Sequence, residues 1–299
     1  MKHLLSLESL PRQDIELLLQ SAHRMKAERG RHSAHPLRHQ CWGLIFSKSS
    51  TRTRVSFEVG IRELGGDVMF LSANDIQLGR GEPISDTARV LGRMLHGAVI
   101  RTFAQSDVED FARLSGIPTI NALTDAEHPC QILADLQTIE ERLGDLSERV
   151  VTFVGDGACN VPVSWIWAAE HLGFELRIAA PKSFQPDPAI LARLTSKKIH
   201  VTEELEAAAA GADVLYTDVW VSMGREEEAA FRQAQLAHYQ IHPKLVSLAK
   251  PGALVMHCLP AYRGKEITAE VFEAHAETIF SQAENRLHAQ KAILSWLVS

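Results

Sequence analysis

No stretch of the 299-residue sequence approaches the roughly 18 consecutive apolar residues that a bilayer-spanning helix requires. The first residues, Met1-Lys2-His3-Leu4-Leu5, run straight into polar sequence without the apolar core of a secretory signal. The reading is a protein that stays in the cytoplasm and off the membrane. Cysteine is scarce: Cys41, Cys130, Cys159 and Cys258 lie far apart with no CxxC pair, which argues against a disulfide-stapled scaffold. Fourteen histidines are present, but there is no HExxH, and His238 with His242 is the nearest approach to a ligand pair, so no metal is expected. Positive charge is in deficit, with a net charge of −6, which removes any general attraction to nucleic acid. The basic stretch from Arg29 to Gln40, rich in histidine, glycine and proline, reads as a solvated loop.

What is present is ample apolar sequence, 45% of residues against 23% charged, in a chain of two-domain length. After a first helix near Pro11 that carries Ile15, Leu18, Leu19 and Ala22, short apolar runs alternate with helical patterns. The runs are Cys41 to Phe46, Val68 to Leu71, Ala98 to Ile100 and Thr119 to Ala122, then Val150 to Val154, Leu176 to Ala180, Val214 to Tyr216 and Leu254 to Met256. Such alternation predicts an α/β fold with two doubly wound parallel-sheet domains joined by interdomain helices. The first is expected over residues 1–130 and the second over 131–285, with a last helix, 286–299, free to pack back on the first.

The chemically loaded residues follow the strands. Ser47 to Arg54 follows the first run, Arg101 the third, His128 the fourth, Gly155-Asp156-Gly157 the fifth, and Asp218 to Gly224 and His257-Cys258-Leu259-Pro260 the last two. Parallel sheets bind ligands beyond the carboxyl ends of their strands, so these loops are expected to converge on one interdomain cleft. In Ser50-Thr51-Arg52-Thr53-Arg54, hydroxyls, guanidinium groups and the backbone N–H groups of an opening helix crowd one place, as an anion requires. A capped helix with surface arginines is the alternative, but two arginines among three hydroxyls exceed what capping needs. The glycines and the Gly-Lys-Ser/Thr ending of a Walker A loop are missing, so no nucleoside triphosphate is implied. Gly155-Asp156-Gly157 lacks the third glycine of a dinucleotide fingerprint, which argues against NAD.

Phe46 to Glu58 resembles the carbamoyl-phosphate loop of the aspartate and ornithine carbamoyltransferases. The resemblance continues in order through Asp75 to Glu82 with Asp86-Thr87-Ala88-Arg89, Arg101-Thr102, His128-Pro129-Cys130-Gln131, Asp218 to Gly224, His257 to Pro260 and Glu284-Asn285-Arg286. It covers nearly the whole chain. Ser222-Met223-Gly224 and His257-Cys258-Leu259-Pro260 look like the ornithine branch. The aspartate branch expects a lysine near residues 77–82 and a basic residue after Gly155-Asp156, and neither is found here.

The resemblance implies a role for each matching residue. Ser50, Thr51, Arg52 and Thr53 would hold the phosphate of carbamoyl phosphate, and Arg101 would bridge phosphate and carbonyl oxygen. His128 would donate to that oxygen, with Gln131 and Arg286 adding contacts. Gln77 would reach the site of a neighbouring subunit, implying a homotrimer. Asp218, Ser222 and Met223, with Asn160, would bind L-ornithine through its α-amino and α-carboxylate groups. Cys258 would orient the attacking amine and relay a proton, and the Leu259 carbonyl would meet the carbamoyl NH2. The catalytic set is thus Arg101, His128, Asp218 and Cys258, with no cofactor. The chain departs from the family in one place: Gly157-Ala158-Cys159-Asn160 puts cysteine at the first of two usual asparagines, in a turn one residue longer, and leaves Asn160 as either a substrate ligand or a helix N-cap. Three alternatives remain open here: a carbamoyltransferase for another amine such as putrescine, a non-catalytic carbamoyl-phosphate-binding relative, and a dehydrogenase-like nucleotide binder. The product would be citrulline, serving arginine biosynthesis or its breakdown.

Overall fold

A computed structural model describes residues 1–72 and 81–299, and Gln77 lies outside the described residues. The chain forms two compact units, Met1–Gln137 with Glu284–Ser299, and Thr138–Ala283.

The first unit contains α1 (Arg12–Ala27), β1 (Cys41–Phe46), α2 (Thr51–Glu63), β2 (Asp67–Ser72), α3 (Ile84–Leu91), β3 (Gly97–Arg101), α4 (Gln105–Ser115) and β4 (Thr119–Leu123). The chain then enters α5 (Pro129–Leu143). The strands form one parallel sheet in the order β2-β1-β3-β4. Strands β1 and β3 are buried nearly throughout, hence their unbroken apolar sequence, whereas edge strand β2 is half exposed. Gly97 has a steric reason: a Cβ there would lie 2.5 Å from the Trp42 ring, itself fully buried. The other edge is covered by the N-terminal segment, where the Leu4 N–H donates to Thr119 O at 3.0 Å and Asn121 N–H donates to Leu4 O at 2.7 Å. The strand order reverses between β1 and β3, and a ligand site in such a sheet belongs at that reversal. The two loops leaving it carry Ser47–Ser50 and Arg101.

The second unit contains β5 (Val150–Val154), α6 (Asn160–Leu172), β6 (Glu175–Ala179), α7 (Pro188–Leu191), β7 (Ile199–Thr202), α8 (Leu205–Ala209) and β8 (Val214–Thr217). It continues with α9 (Ala229–Leu236), α10 (Pro243–Val246), β9 (Leu254–His257), α11 (Ala269–Ala274) and the first turns of the long α12 (Ala276–Leu297), whose later turns belong to the first unit. Its parallel sheet runs β7-β6-β5-β8-β9. Helix α6 is buried almost all round, and Trp165 meets Tyr216 edge to face at 5.5 Å beside the Phe153–Tyr216 stack at 6.0 Å. Here the strand order reverses between β5 and β8, whose outgoing loops begin at Gly155 and Asp218.

The structure extends the sequence expectation in three respects. Strand β7 was not anticipated, because Lys197-Lys198-Ile199-His200 carries the polarity of a half-exposed edge strand and not of a core strand. Helix α12 starts at Ala276 and not at Arg286. The units divide inside α5 and α12, at 137/138 and 283/284, where continuous helix leaves no linker composition to mark a boundary.

Candidate active site

In the first unit the residues expected to hold an anion gather around the start of α2. Ser50 is its N-cap, and the Ser50 hydroxyl accepts from the Thr53 N–H at 3.3 Å. The capping alternative is therefore real for Ser50, but it does not account for the rest. Thr51 and Arg52 are exposed, and Arg52 makes no ion pair among the described residues. Arg54 does behave as a surface arginine, donating to Glu58 Oε1 at 2.7 Å and lying 3.8 Å from the Phe70 ring centroid. Thr53 is buried, and its hydroxyl accepts from Arg286 Nη2 at 2.9 Å while Arg286 Nη1 donates to Gln131 Oε1 at 2.6 Å. Gln131 in turn donates to Asp135 Oδ1 at 2.8 Å. One guanidinium thus joins three residues that are far apart in the sequence, Thr53, Gln131 and Arg286.

Arg101 ends β3, and its carbonyl accepts the Ser47 N–H at 2.8 Å, which ties the two loops together at the sheet reversal. His128 is buried just before α5. Burial and the nearby charges of Arg286 and Arg101 push its pKa well below the ordinary histidine value, so the ring is neutral at pH 7. A neutral imidazole among cations can donate one N–H to a developing oxyanion without first giving up a proton.

In the second unit, the thiol of Cys258 donates to Asp218 Oδ1 at 2.9 Å, and the same oxygen accepts the Val219 N–H at 2.7 Å. The His257 backbone N–H donates to Gln282 Oε1 at 2.9 Å. His257 Nδ1 accepts the Leu259 N–H at 2.8 Å, which leaves the ring proton on Nε2, 3.2 Å from Glu266 Oε1. This wedge holds Leu259 at φ 61°, a left-handed backbone that a leucine adopts only when its surroundings impose it. Ser222 is half-buried and Met223 exposed on the segment after Trp220. Asn160 is the first residue of α6, and Cys159 occupies the N-cap without a side-chain cap, so Asn160 is not the cap that the sequence allowed. Burial and the carboxylates of Asp156 and Asp218 push the Cys159 thiol well above its ordinary pKa.

Residues 2–141 match the family profile described as the carbamoyl-P binding domain of aspartate/ornithine carbamoyltransferase, and residues 147–297 match its Asp/Orn binding domain. The chain belongs to the aspartate/ornithine carbamoyltransferase family. It is 58% identical to the ornithine carbamoyltransferase of Akkermansia muciniphila over 299 residues, covering 99% of this chain and 98% of that protein. The anabolic ornithine carbamoyltransferase of Campylobacter jejuni has a similar structure, with a TM-score of 0.93 and 40% identity over 99% of each chain. The ornithine carbamoyltransferase of Pyrococcus furiosus follows at TM-score 0.92 and 40% identity, over 99% of this chain and 97% of that one.

Arg101, His128, Gln131, Thr53 and Arg286 all lie in the first unit, although Arg286 comes from the stretch that matches the Asp/Orn binding domain. Sequence reasoning missed several residues that set this geometry. Lys48 is buried, paired with Asp125 and 4.2 Å from the Phe103 ring centroid, so it ties the loop after β1 to the turn that presents His128. Lys48 stood inside the motif, but its partner lies 77 positions away and gave no signal. Glu266 and Gln282 behind His257, and Arg232 beside Asp156, were equally hidden. Among the described residues, Asp218, His257 and Cys258 offer three ligand atoms within 4.8 Å of one another. Each side chain is already engaged by a protein partner, Cys258 with Asp218 and the His257 ring with Leu259 and Glu266.

Proposed function

We propose that the chain transfers the carbamoyl group of carbamoyl phosphate to the side-chain amine of L-ornithine, giving L-citrulline and phosphate without a metal or organic cofactor. The observation that carries this reading is the Asp218–Cys258 pair at 2.9 Å, a carboxylate fixed by a thiol on the domain of an amino-acid-binding family. A carboxylate acceptor suits a cationic amino acid and not a dicarboxylate. The ornithine carbamoyltransferases named above add the identity of the acceptor by similarity.

The chemistry follows from the groups present. Arg52, the N–H groups opening α2, and Arg101 hold the phosphate dianion, with Arg286 setting the position of Thr53. The amine nitrogen of ornithine attacks the carbonyl carbon, a C–N bond forms, and the carbonyl oxygen gains charge against neutral His128 and Arg101. The bond from carbon to the phosphate oxygen then breaks, and the departing phosphate can accept the proton the amine gives up. Cys258 and Asp218 orient the amine as the thiol relays that proton. Holding two reactants in register supplies much of the acceleration such a site needs. Asn160, Ser222 and Met223 bind the α-groups, and the Leu259 carbonyl receives the carbamoyl NH2.

We further infer a homotrimer in which Gln77 serves a neighbouring subunit, a cytoplasmic location, and a place in arginine biosynthesis. Family membership and the Asp75–Glu82 string support the first of these. No helix among the described residues is long and apolar enough to cross a membrane. The deciding experiment is a carbamoylation assay with ornithine, putrescine, lysine and aspartate offered in parallel. Citrulline from ornithine is the expected product, and preferential carbamoylation of any other amine overturns the reading. Light scattering of the purified protein tests the trimer.

A further inference from the structure

Between Trp220 and α9 runs a segment that carries Ser222 and Met223. Met223 to Glu227 are exposed, and the bonds within the segment are local, such as Gly224 N–H to Glu226 Oε1 at 3.0 Å and Arg225 Nη1 to Glu228 Oε1 at 3.0 Å. What fixes it lies at its ends. Upstream, buried Trp220 packs with Phe184 and with Leu236 of α9. Downstream, Arg232 of α9 is buried, donating from Nε to Glu228 Oε2 at 2.8 Å and from Nη1 to Asp156 Oδ2 at 2.7 Å, with Phe184 5.1 Å from its guanidinium carbon. Asp156 is itself 5% exposed, and its Oδ1 accepts the Ala158 N–H at 3.0 Å. One planar fork therefore joins the turn that delivers Asn160 to the segment that delivers Ser222 and Met223.

A buried ion pair of this kind does little for stability compared with apolar residues of the same volume, so its presence asks for another reason. Direction is one. The guanidinium binds two carboxylates through fixed, divergent N–H groups, which an ammonium cannot do. Charge is another. Arg232 lies 2.7 Å from buried Asp156 and compensates its charge in a site that also holds the Asp218 carboxylate.

We propose that Arg232 is a positioning residue for amino-acid selectivity: through Glu228 and Asp156 it holds Ser222–Met223 in register with Asn160 and leaves Asp218 to read the substrate amine. This rests on the reaction proposed above. The test compares wild type, Arg232→Gln, Arg232→Lys and the double variant Asp156→Asn/Arg232→Gln. Three measurements are made on each: KM and kcat with ornithine, carbamoyl-phosphate affinity by calorimetry, and hydrogen exchange over residues 219–228. Arg232→Gln should raise the ornithine KM by about tenfold or more while carbamoyl-phosphate affinity stays within about twofold. Exchange over 219–228 should accelerate, Arg232→Lys should recover part of the KM, and the double variant should bind ornithine better than Arg232→Gln because no buried carboxylate is stranded. An unchanged ornithine KM, or an equal loss for both substrates with only a lower Tm, overturns the proposal. If Arg232→Gln does not fold, Arg232→Lys and Asp156→Asn carry the same comparison. A wild type that makes no citrulline overturns the reaction reading instead, and the exchange comparison still decides whether Arg232 tethers the segment.

Discussion

The Cys258 thiol donates to Asp218 Oδ1 across 2.9 Å although 40 positions separate the two residues. A thiol that donates to a carboxylate is protonated, and a carboxylate that accepts from a thiol and from the Val219 N–H is fixed in direction. In the proposed reaction this pair would face the substrate amine.

The acceptor amine must lose its proton before it attacks, and an alkylammonium with a pKa of about 10.4 is roughly one part in a thousand deprotonated at pH 7. Turnover should therefore rise with pH, and a flat kcat profile from about pH 6 to 9 with chemistry rate-limiting would count against the mechanism. Asp218→Asn should lower kcat/KM for ornithine by about a hundredfold, and Cys258→Ser, which keeps a donor, should lose less than Cys258→Ala.

In the proposed phosphate cradle, Arg52 is exposed and would contact the donor directly, whereas Arg286 is engaged with Thr53 and Gln131. Arg52→Ala should reduce turnover by about a hundredfold or more with little change in Tm. Arg286→Gln should lower both turnover and Tm, because it leaves Gln131 and Thr53 without their shared donor. Calorimetry with carbamoyl phosphate and thermal melts separate the two effects.

Glu127 and His128 are neighbours with opposite linkage to pH. Burial raises the Glu127 carboxyl to about 7, against bonds from Ser6 and from the Leu7 N–H at 2.9 Å. The folded state then holds a proton that the unfolded state has released, so this residue's contribution to stability falls as pH rises from about 4.5 to 7. For His128 the folded pKa is depressed, so its contribution falls as pH drops below the ordinary histidine value. Glu127→Gln should remove the first slope, which corresponds to on the order of 3 kcal/mol for a pKa raised from 4.5 to about 7. Denaturant titrations across that range should show the variant gaining stability relative to wild type as pH rises, and an unchanged difference would refute the assignment.

Helix α3 and the end of α4 meet at a glycine. A Cβ on Gly92 would lie 1.9 Å from the Ser115 carbonyl oxygen, a backbone atom that cannot rotate away. Gly92→Ala should cost about 1–3 kcal/mol or more in denaturant titrations. Gly30→Ala, where φ is +77° but nothing lies within 4 Å, should cost about 1–2 kcal/mol from backbone strain alone.

Much of the architecture was legible because parallel sheets buried on both faces write themselves as short apolar runs: eight of the nine strands in the order β2-β1-β3-β4 and β7-β6-β5-β8-β9 were such runs, and β7 was not. Candidate ligands were legible because they follow those runs in compact strings such as Ser50–Arg54 and His257–Pro260. The sequence by itself thus determined the fold class and the family and named the candidate side chains, since these depend on local periodicity and on motifs a few residues long. Only the tertiary structure decided how those side chains are aimed. Ser50 caps a helix while Arg52 stays open, Arg286 engages Thr53 and Gln131, Glu266 orients His257, and Arg232 finds Asp156 across 76 positions. The long-range pairings join elements that the fold brings together in space, and that proximity leaves no trace in the spacing of residues along the chain.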